Sequence, residues 1–215
     1  WVKICANTSL ADALVAAEAG ADALGFIFAP SPRRVTPEQA AVIIRELPDT
    51  VEKIGVFVDA GLHEIVAAVR ECGLTGVQIH SSADATLPAQ LRALFGSALR
   101  ILRVVHFGPD AGSQARAYAR DPNVDGVLVD SRTARAVGGT GITFDWAEAR
   151  RTVFGSDRAA RLVAAGGLNP QNVAEAIALL QPWGVDVASG VEATPGRKDP
   201  AKVSAFIANV RAASM

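Results

Sequence analysis

Short runs of Val, Ile and Leu alternate along the chain with longer Ala-rich stretches whose apolar positions recur at helical spacing. The runs are V-K-I-C (2–5), A-L-G-F-I-F (23–28), K-I-G-V-F-V (53–58), G-V-Q-I-H (76–80), R-I-L-R-V-V (100–105), G-V-L-V-D (126–130), L-V-A-A-G (162–166) and V-D-V-A-S (185–189). They predict eight strands about 25 residues apart, each followed by a helix pattern. The sixth crossover is the least regular, with a Gly-rich loop ahead of a short helical stretch, D-W-A-E-A-R-R. Thr8 or Ser9 can cap the first helix, Thr36-Pro37 the second, and Asn169-Pro170 starts the seventh in the same manner. Gly20 and Gly73 stand where helices should stop.

Strands alternating with helices make a mostly parallel sheet. Eight units in 215 residues favour closure into a (β/α)8 TIM barrel, one α/β catalytic domain over 1–215. An open doubly wound sheet would usually carry G-x-G-x-x-G after its first strand, and here that turn reads A-N-T-S. Half the residues are hydrophobic, enough for a large core. Lys+Arg is 21 against 22 for Asp+Glu, and no basic tract supports a nucleic-acid or acidic-membrane partner. There is no apolar run of membrane-spanning length and no signal-peptide plan at the N-terminus, so the expected location is cytoplasmic. The two cysteines, Cys5 and Cys72, suit reduced thiols rather than a disulfide framework.

Barrels of this type keep their chemistry at the C-terminal strand ends. The groups there that can move protons are Cys5, His80 and Asp130. Alternation places Val2 and Ile4 against the helices, with Lys3 and Cys5 inward. In the same way Leu128, Asp130 and Asp186 face inward, while Val127, Val129, Val185 and Val187 face the helices. Strands one and eight are neighbours in a closed barrel, so Lys3 and Asp186 are expected to pair inside it. Cys5 and Asp130 lie three strands apart and face one another across the mouth, a donor and an acceptor on opposite sides of a small molecule. That layout suits an aldose–ketose isomerisation, which needs no cofactor. Each residue also has a plainer role open to it. A strand Cys can be a small buried hydrophobe, a terminal Asp a cap, and His80 a hydrogen-bonded structural imidazole. The three histidines and the cysteines show no metal-ligand spacing, and no metal site is expected.

The seventh and eighth tips read A-A-G-G-L-N-P and A-S-G-V-E-A-T-P-G-R-K-D. Small residues before helix starts, with a short extra helix after Ser189-Gly190, suit a phosphate dianion, although tight barrel turns would read the same way. The loop after strand six carries Gly138, Gly139, Gly141, Arg132 and Arg135, the composition of a basic lid or of an exposed surface loop. Arg33 and Arg34, in A-P-S-P-R-R-V-T-P-E, offer a fork for a carboxylate or phosphate, or a solvated basic turn.

Taken together, these motifs resemble phosphoribosylanthranilate isomerase of tryptophan biosynthesis over nearly the whole chain. They occur in that family's order: K-I-C, G-F-I-F with S-P-R-x-V-T-P-E, G-V-F-V, V-Q-I-H, L-V-D-S, G-G-T-G-I-T-F-D-W, A-G-G-L-N-P-Q-N-V and D-V-A-S-G-V-E-A-T-P-G-R-K-D. The resemblance implies an Amadori rearrangement of N-(5-phosphoribosyl)anthranilate, with Cys5 as general base and Asp130 as general acid. It implies Arg33 near the anthranilate carboxylate, and Gly139, Gly167, Ser189 and Gly190 at the phosphate; His80 is counted among the substrate-binding residues. The implied partner is a phosphorylated small molecule, with neither nucleic acid nor membrane, and the implied assembly is a monomer or homodimer. As a base, Cys5 needs nearby positive charge, because a free thiol is only a few per cent ionised at neutral pH; Lys3, Arg33 and the backbone at the mouth are the candidates.

The chain departs from the family pattern at three positions. Ala6 follows Cys5 where the pattern K-I-C-G has Gly, Ser81 follows His80 where Gly is common, and Arg34 stands where an aromatic residue is common. If that first Gly needs a left-handed backbone, Ala6 is expected to shift the Cys5 tip. Two other functions share these features: a histidine-pathway or bifunctional phosphoribosyl isomerase, and a non-catalytic phosphate-binding barrel.

Overall fold

The computed structural model describes residues 1–80, 84–131, 145–155 and 160–213. Eight parallel strands close into a barrel in sequence order: β1 Val2–Ile4, β2 Ala23–Ile27, β3 Glu52–Val58, β4 Gly76–His80, β5 Arg100–His106, β6 Gly126–Asp130, β7 Leu162–Ala165 and β8 Gly184–Val187. The helices α1 Leu10–Glu18, α2 Pro37–Arg45, α3 Leu62–Cys72, α4 Leu87–Phe95, α5 Ala111–Ala119, α6 Trp146–Ala149, α7 Val173–Leu180 and α8 Pro200–Ala213 fill the crossovers and follow β8. The predicted barrel is therefore the observed one, and each strand lies within a residue or two of its predicted span.

Local chemistry explains the helix ends. Ser9 accepts from the Asp12 N–H, and Thr36 and Gln39 form a reciprocal capping box with Pro37 in the first turn. Gly73 ends α3 in the left-handed conformation at φ 69°. The seventh helix begins three residues later than predicted, with Asn172 rather than Asn169 at its N-cap. Asn169 Oδ1 accepts from the N–H groups of Gln171 and Asn172, and Asn172 Oδ1 accepts from Asn169 N–H, so an Asx-type turn precedes the helix proper. The weak sixth crossover is a single turn, α6, continued by a π-helical turn over Arg150–Phe154.

The main core lies between strands and helices. Val2, Ile4, Val127, Val129, Val185 and Val187 all face it, and burying each such side chain contributes roughly 1.5–3 kcal/mol. The barrel interior is different. Its N-terminal end is apolar, built from Leu102, Val104, Leu128 and Val163, with Trp1 and Trp183 packed beneath. Above that lies a polar layer of Lys3, Gln78 and Asp186. β1 pairs with β8 in the register Lys3↔Asp186, which puts the two charges side by side, as alternation predicts.

After β8 the short extra helix is a single 3-10 turn, Ser189–Val191, which contains Ser189-Gly190 rather than following it. A hairpin follows, β9 Glu192–Thr194 with β10 Arg197–Lys198. It reaches back over the first loop: Thr8 Oγ1 donates to the Gly196 carbonyl at 2.6 Å, and Arg197 meets Asp12 at 3.2 Å. No helix among the described residues is long and apolar enough to cross a membrane.

Candidate active site

Cys5 is the first residue past β1, with its N–H still in the ladder to the Val187 carbonyl at 2.7 Å. Beneath it Lys3 is fully buried, its Nζ 2.8 Å from Gln78 Oε1 and 3.0 Å from Asp186 Oδ1. Gln78 continues the chain of contacts to His80, Nε2 to Nε2 at 2.9 Å, and the His80 ring lies 5.9 Å from that of His106. One polar network thus crosses the barrel from β8 through β1 to the rim of β4, where the imidazole is held by its own strand.

Neighbouring strands leave room for the Cys5 and Asp130 tips only by lacking side chains. A Cβ on Gly25 would begin 2.6 Å from Cys5 Sγ and 3.0 Å from Lys3 Cε. A Cβ on Gly166 would begin 2.6 Å from Asp130 Oδ1. Asp130 is 1% exposed at the end of β6, three strands round from Cys5.

Ala6 does not leave the left-handed region. It sits there at φ 65°, a conformation that Gly adopts freely and that costs other residues about 1–2 kcal/mol. Its neighbours hold it: Asn7 N–H donates to Gly25 O at 2.9 Å, and Asn7 Nδ2 donates to the carbonyls of Ile4 and Gly25. The tip therefore holds a left-handed turn at a non-glycine residue and carries its strain.

Arg33 and Arg34 do not make one fork. Arg34 is exposed, whereas Arg33 turns inward to a bidentate contact with Glu192 at 2.6–3.0 Å. Its Nε and one terminal nitrogen are committed there, which leaves Nη1 without a hydrogen bond among the described residues. Glu192 also receives Lys198 Nζ at 3.4 Å and the Gly196 N–H at 3.3 Å. Lys198 Nζ in turn donates to the Cys5 carbonyl at 2.5 Å. Sequence reasoning missed Glu192 and Lys198 as part of this site. The only sign was two charges of opposite sign, six residues apart in a small-residue stretch.

Burial pushes the Cys5 thiol up, and Asp186 adds to the rise, while Lys3 and then Lys198 pull it down; the net direction is upward. For Lys3, burial favours the neutral amine, but Asp186 and Cys5 together outweigh this and its pKa ends raised. For Glu192, burial opposes ionisation, and Arg33 with Lys198 overcomes it, so the carboxyl is held below its usual range.

Gly167 and the pair Ser189-Gly190 stand together at the β7 and β8 tips. Gly166 and Gly167 have φ of 85° and 67°, and a Cβ on Gly190 would start within a bond's length or so of the Leu168 carbonyl, so the two loops are pressed against each other. Gly139 and the rest of 132–144, where a basic lid or an exposed loop was expected, lie with Ser81 outside the described residues.

A family model described as PRAI, N-(5'phosphoribosyl)anthranilate (PRA) isomerase, matches residues 2–209. The chain belongs to the phosphoribosylanthranilate isomerase family. Within that family, the N-(5'-phosphoribosyl)anthranilate isomerase of Citrifermentans bemidjiense is 44% identical over 211 residues, 98% of this chain and 96% of that protein. The crystal structure of the phosphoribosyl anthranilate isomerase from Thermotoga maritima superposes with a TM-score of 0.84 at 36% identity and covers 98% of each chain. A phosphoribosyl anthranilate isomerase structure in complex with reduced 1-(o-carboxyphenylamino)-1-deoxyribulose 5-phosphate gives 0.81 at 35% identity, with the same coverage.

Proposed function

We propose that the chain catalyses the Amadori rearrangement of N-(5-phosphoribosyl)anthranilate to 1-(2-carboxyphenylamino)-1-deoxyribulose 5-phosphate, with Asp130 as general acid and Cys5 as general base. The observation that carries the residue roles is the placing of these two buried groups on facing strands at the mouth of a closed barrel, in a chain of this family.

Asp130 gives its proton to the ribose ring oxygen, the ring opens, and the C1–nitrogen bond becomes an iminium. The Cys5 thiolate then takes the C2 proton, and those electrons form the enolamine. Reprotonation at C1 and loss of the O2 proton leave the ketone. The ring C1–O bond is broken, its electron pair staying on the oxygen that takes the Asp130 proton; every other change moves protons and double bonds, so substrate and product have the same composition. The Gly167 and Ser189-Gly190 loops are assigned the phosphate, since backbone N–H groups can approach it closely there, and Gly139 is assigned to the same phosphate on the family resemblance alone. Nη1 of Arg33 is assigned the anthranilate carboxylate, with Glu192 fixing the plane of the guanidinium. His80 is assigned to the substrate's sugar edge, its ring oriented by Gln78.

The test is a fluorescence assay on freshly generated phosphoribosylanthranilate. Cys5→Ala and Asp130→Asn are each expected to lower kcat by about 10²–10⁴ while product affinity stays near that of the wild type. Near-normal turnover in Cys5→Ala would remove Cys5 as the base.

A further inference from the structure

Three cations and one carboxylate act on Cys5, and a second carboxylate, Glu192, holds two of those cations. Lys3 comes from its own strand, Asp186 from β8, Arg33 from the loop after β2, and Glu192 and Lys198 from the hairpin. Four of them form matched pairs, Lys3 with Asp186 at 3.0 Å and Arg33 with Glu192 at 2.6 Å. Lys198 has only a share of a carboxylate that Arg33 already grips. The five groups therefore sum to one positive charge, and a thiolate on Cys5 would bring the cluster to neutrality.

The surroundings of Lys198 fit an ammonium. Its side chain is fully buried, and Nζ faces three acceptors: Cys5 O at 2.5 Å, Ala188 O at 3.4 Å and Glu192 Oε1 at 3.4 Å. An ammonium has one N–H for each, whereas a neutral amine would turn its lone pair toward one of them. Burial pulls this ammonium's pKa down further than Glu192 and Cys5 raise it, so the net direction is downward, and the charge is assigned from the three acceptors around Nζ.

We propose that Lys198 is a positioning residue for the Cys5 thiolate, which anchors the strained Cys5–Ala6 tip through the Cys5 carbonyl and supplies the one positive charge there that no carboxylate fully neutralises. Glu192 holds Arg33 and Lys198 together, so a single carboxylate sets both the carboxylate-binding arginine and the charge felt by the thiol. The inference rests on Cys5 being the base, and it goes beyond that role to say what poises it.

The experiment measures two things in a Cys72→Ala background, which leaves Cys5 as the single thiol. One is the Cys5 ionisation, followed by thiolate absorbance in the ultraviolet; the other is the pH profile of kcat/KM. Lys198→Met is expected to raise the Cys5 pKa and the acid limb of the profile together by about one unit, with about a tenfold loss of kcat/KM at neutral pH. Glu192→Gln, which removes the opposing charge, is expected to move both the other way. A merely structural role would not give opposite shifts from two neighbours. Lys198→Arg, which keeps the charge, is expected to restore the limb toward its original place. An unmoved thiol titration in Lys198→Met overturns the proposal. If that variant fails to fold, an unmoved or raised thiol pKa in Glu192→Gln overturns it instead. A titration that shifts while the rate profile does not follow would leave Lys198 poising the thiol and remove Cys5 as the base.

Discussion

At the N-terminal end of the barrel, Trp1 and Trp183 stack with ring centroids 5.3 Å apart, and the guanidinium groups of Arg100 and Arg161 lie 5.6 and 5.3 Å from the Trp183 ring. The ion pairs there, Arg100–Glu52 and Arg92–Asp125, keep 19–32% of each side chain exposed. At the opposite end the charges of Lys3, Asp186, Glu192 and Lys198 are buried to 9% exposure or less, and Ala6 sits in a left-handed conformation. Exposed pairs and stacked rings ask little of their surroundings and give modest stability in return. Buried charges need every partner in place, and a tip under strain is kept only where the neighbours fix it. The same eight strands thus carry a closure built for stability at one end and a site built for reactivity at the other.

The comparison can be broken most sharply at Lys3. Lys3→Met leaves Asp186 without its cation, and urea unfolding is expected to show a loss of about 3–5 kcal/mol. Lys3→Met/Asp186→Leu should recover most of that stability and none of the activity. A single-variant cost near zero would mean that the polar layer is not the demanding end. Next in size is Trp183→Ala, with about 2 kcal/mol lost because Trp183 is only half-buried, and with kcat unchanged wherever the protein remains folded. A fall in kcat without a fall in stability would show the two ends to be coupled.

Ala6→Gly should run the other way. Relief of the left-handed strain, less the extra freedom of Gly in the unfolded chain, predicts a gain of about 0.5–1 kcal/mol in the same unfolding measurement. A loss would show that the buried methyl matters more than the backbone. The smallest effect lies outside both ends, at Cys72. Burial, helped by Glu71 and Glu38, pushes this thiol from 9.0 to about 11. The folded state then keeps a proton that the unfolded chain gives up. Its contribution is complete below about pH 9 and is lost as pH rises toward about 11. Cys72→Ala should therefore flatten the fall in stability across that window, and an unchanged slope would refute the assignment.

The strands and their tips could be read from the chain because a barrel strand has a strict period of two. Lys3 between Val2 and Ile4, and Asp186 between Val185 and Val187, can face only inward, and closure then makes them neighbours. Gly25 and Gly166 were visible as residues but not as spaces, since what they make room for comes from other strands. The hairpin was illegible for a different reason. E-A-T-P-G-R-K has no apolar alternation, and Glu192 and Lys198 acquire meaning only when the turn sets them opposite each other. The late start of the seventh helix follows from two Asn side chains that bond each other's backbone before the helical ladder begins.

The Lys3–Asp186 contact also governs the order in which the molecule can be assembled. Seven of the eight strand pairings join segments adjacent in sequence, and the eighth joins partners 183 residues apart. A growing chain releases Lys3 183 residues before Asp186. Until then the first strand carries a charge that it cannot bury at any tolerable cost, so it stays in water rather than docking early against the wrong neighbour. The lysine thus acts as a timing device, reserving the first strand for the last.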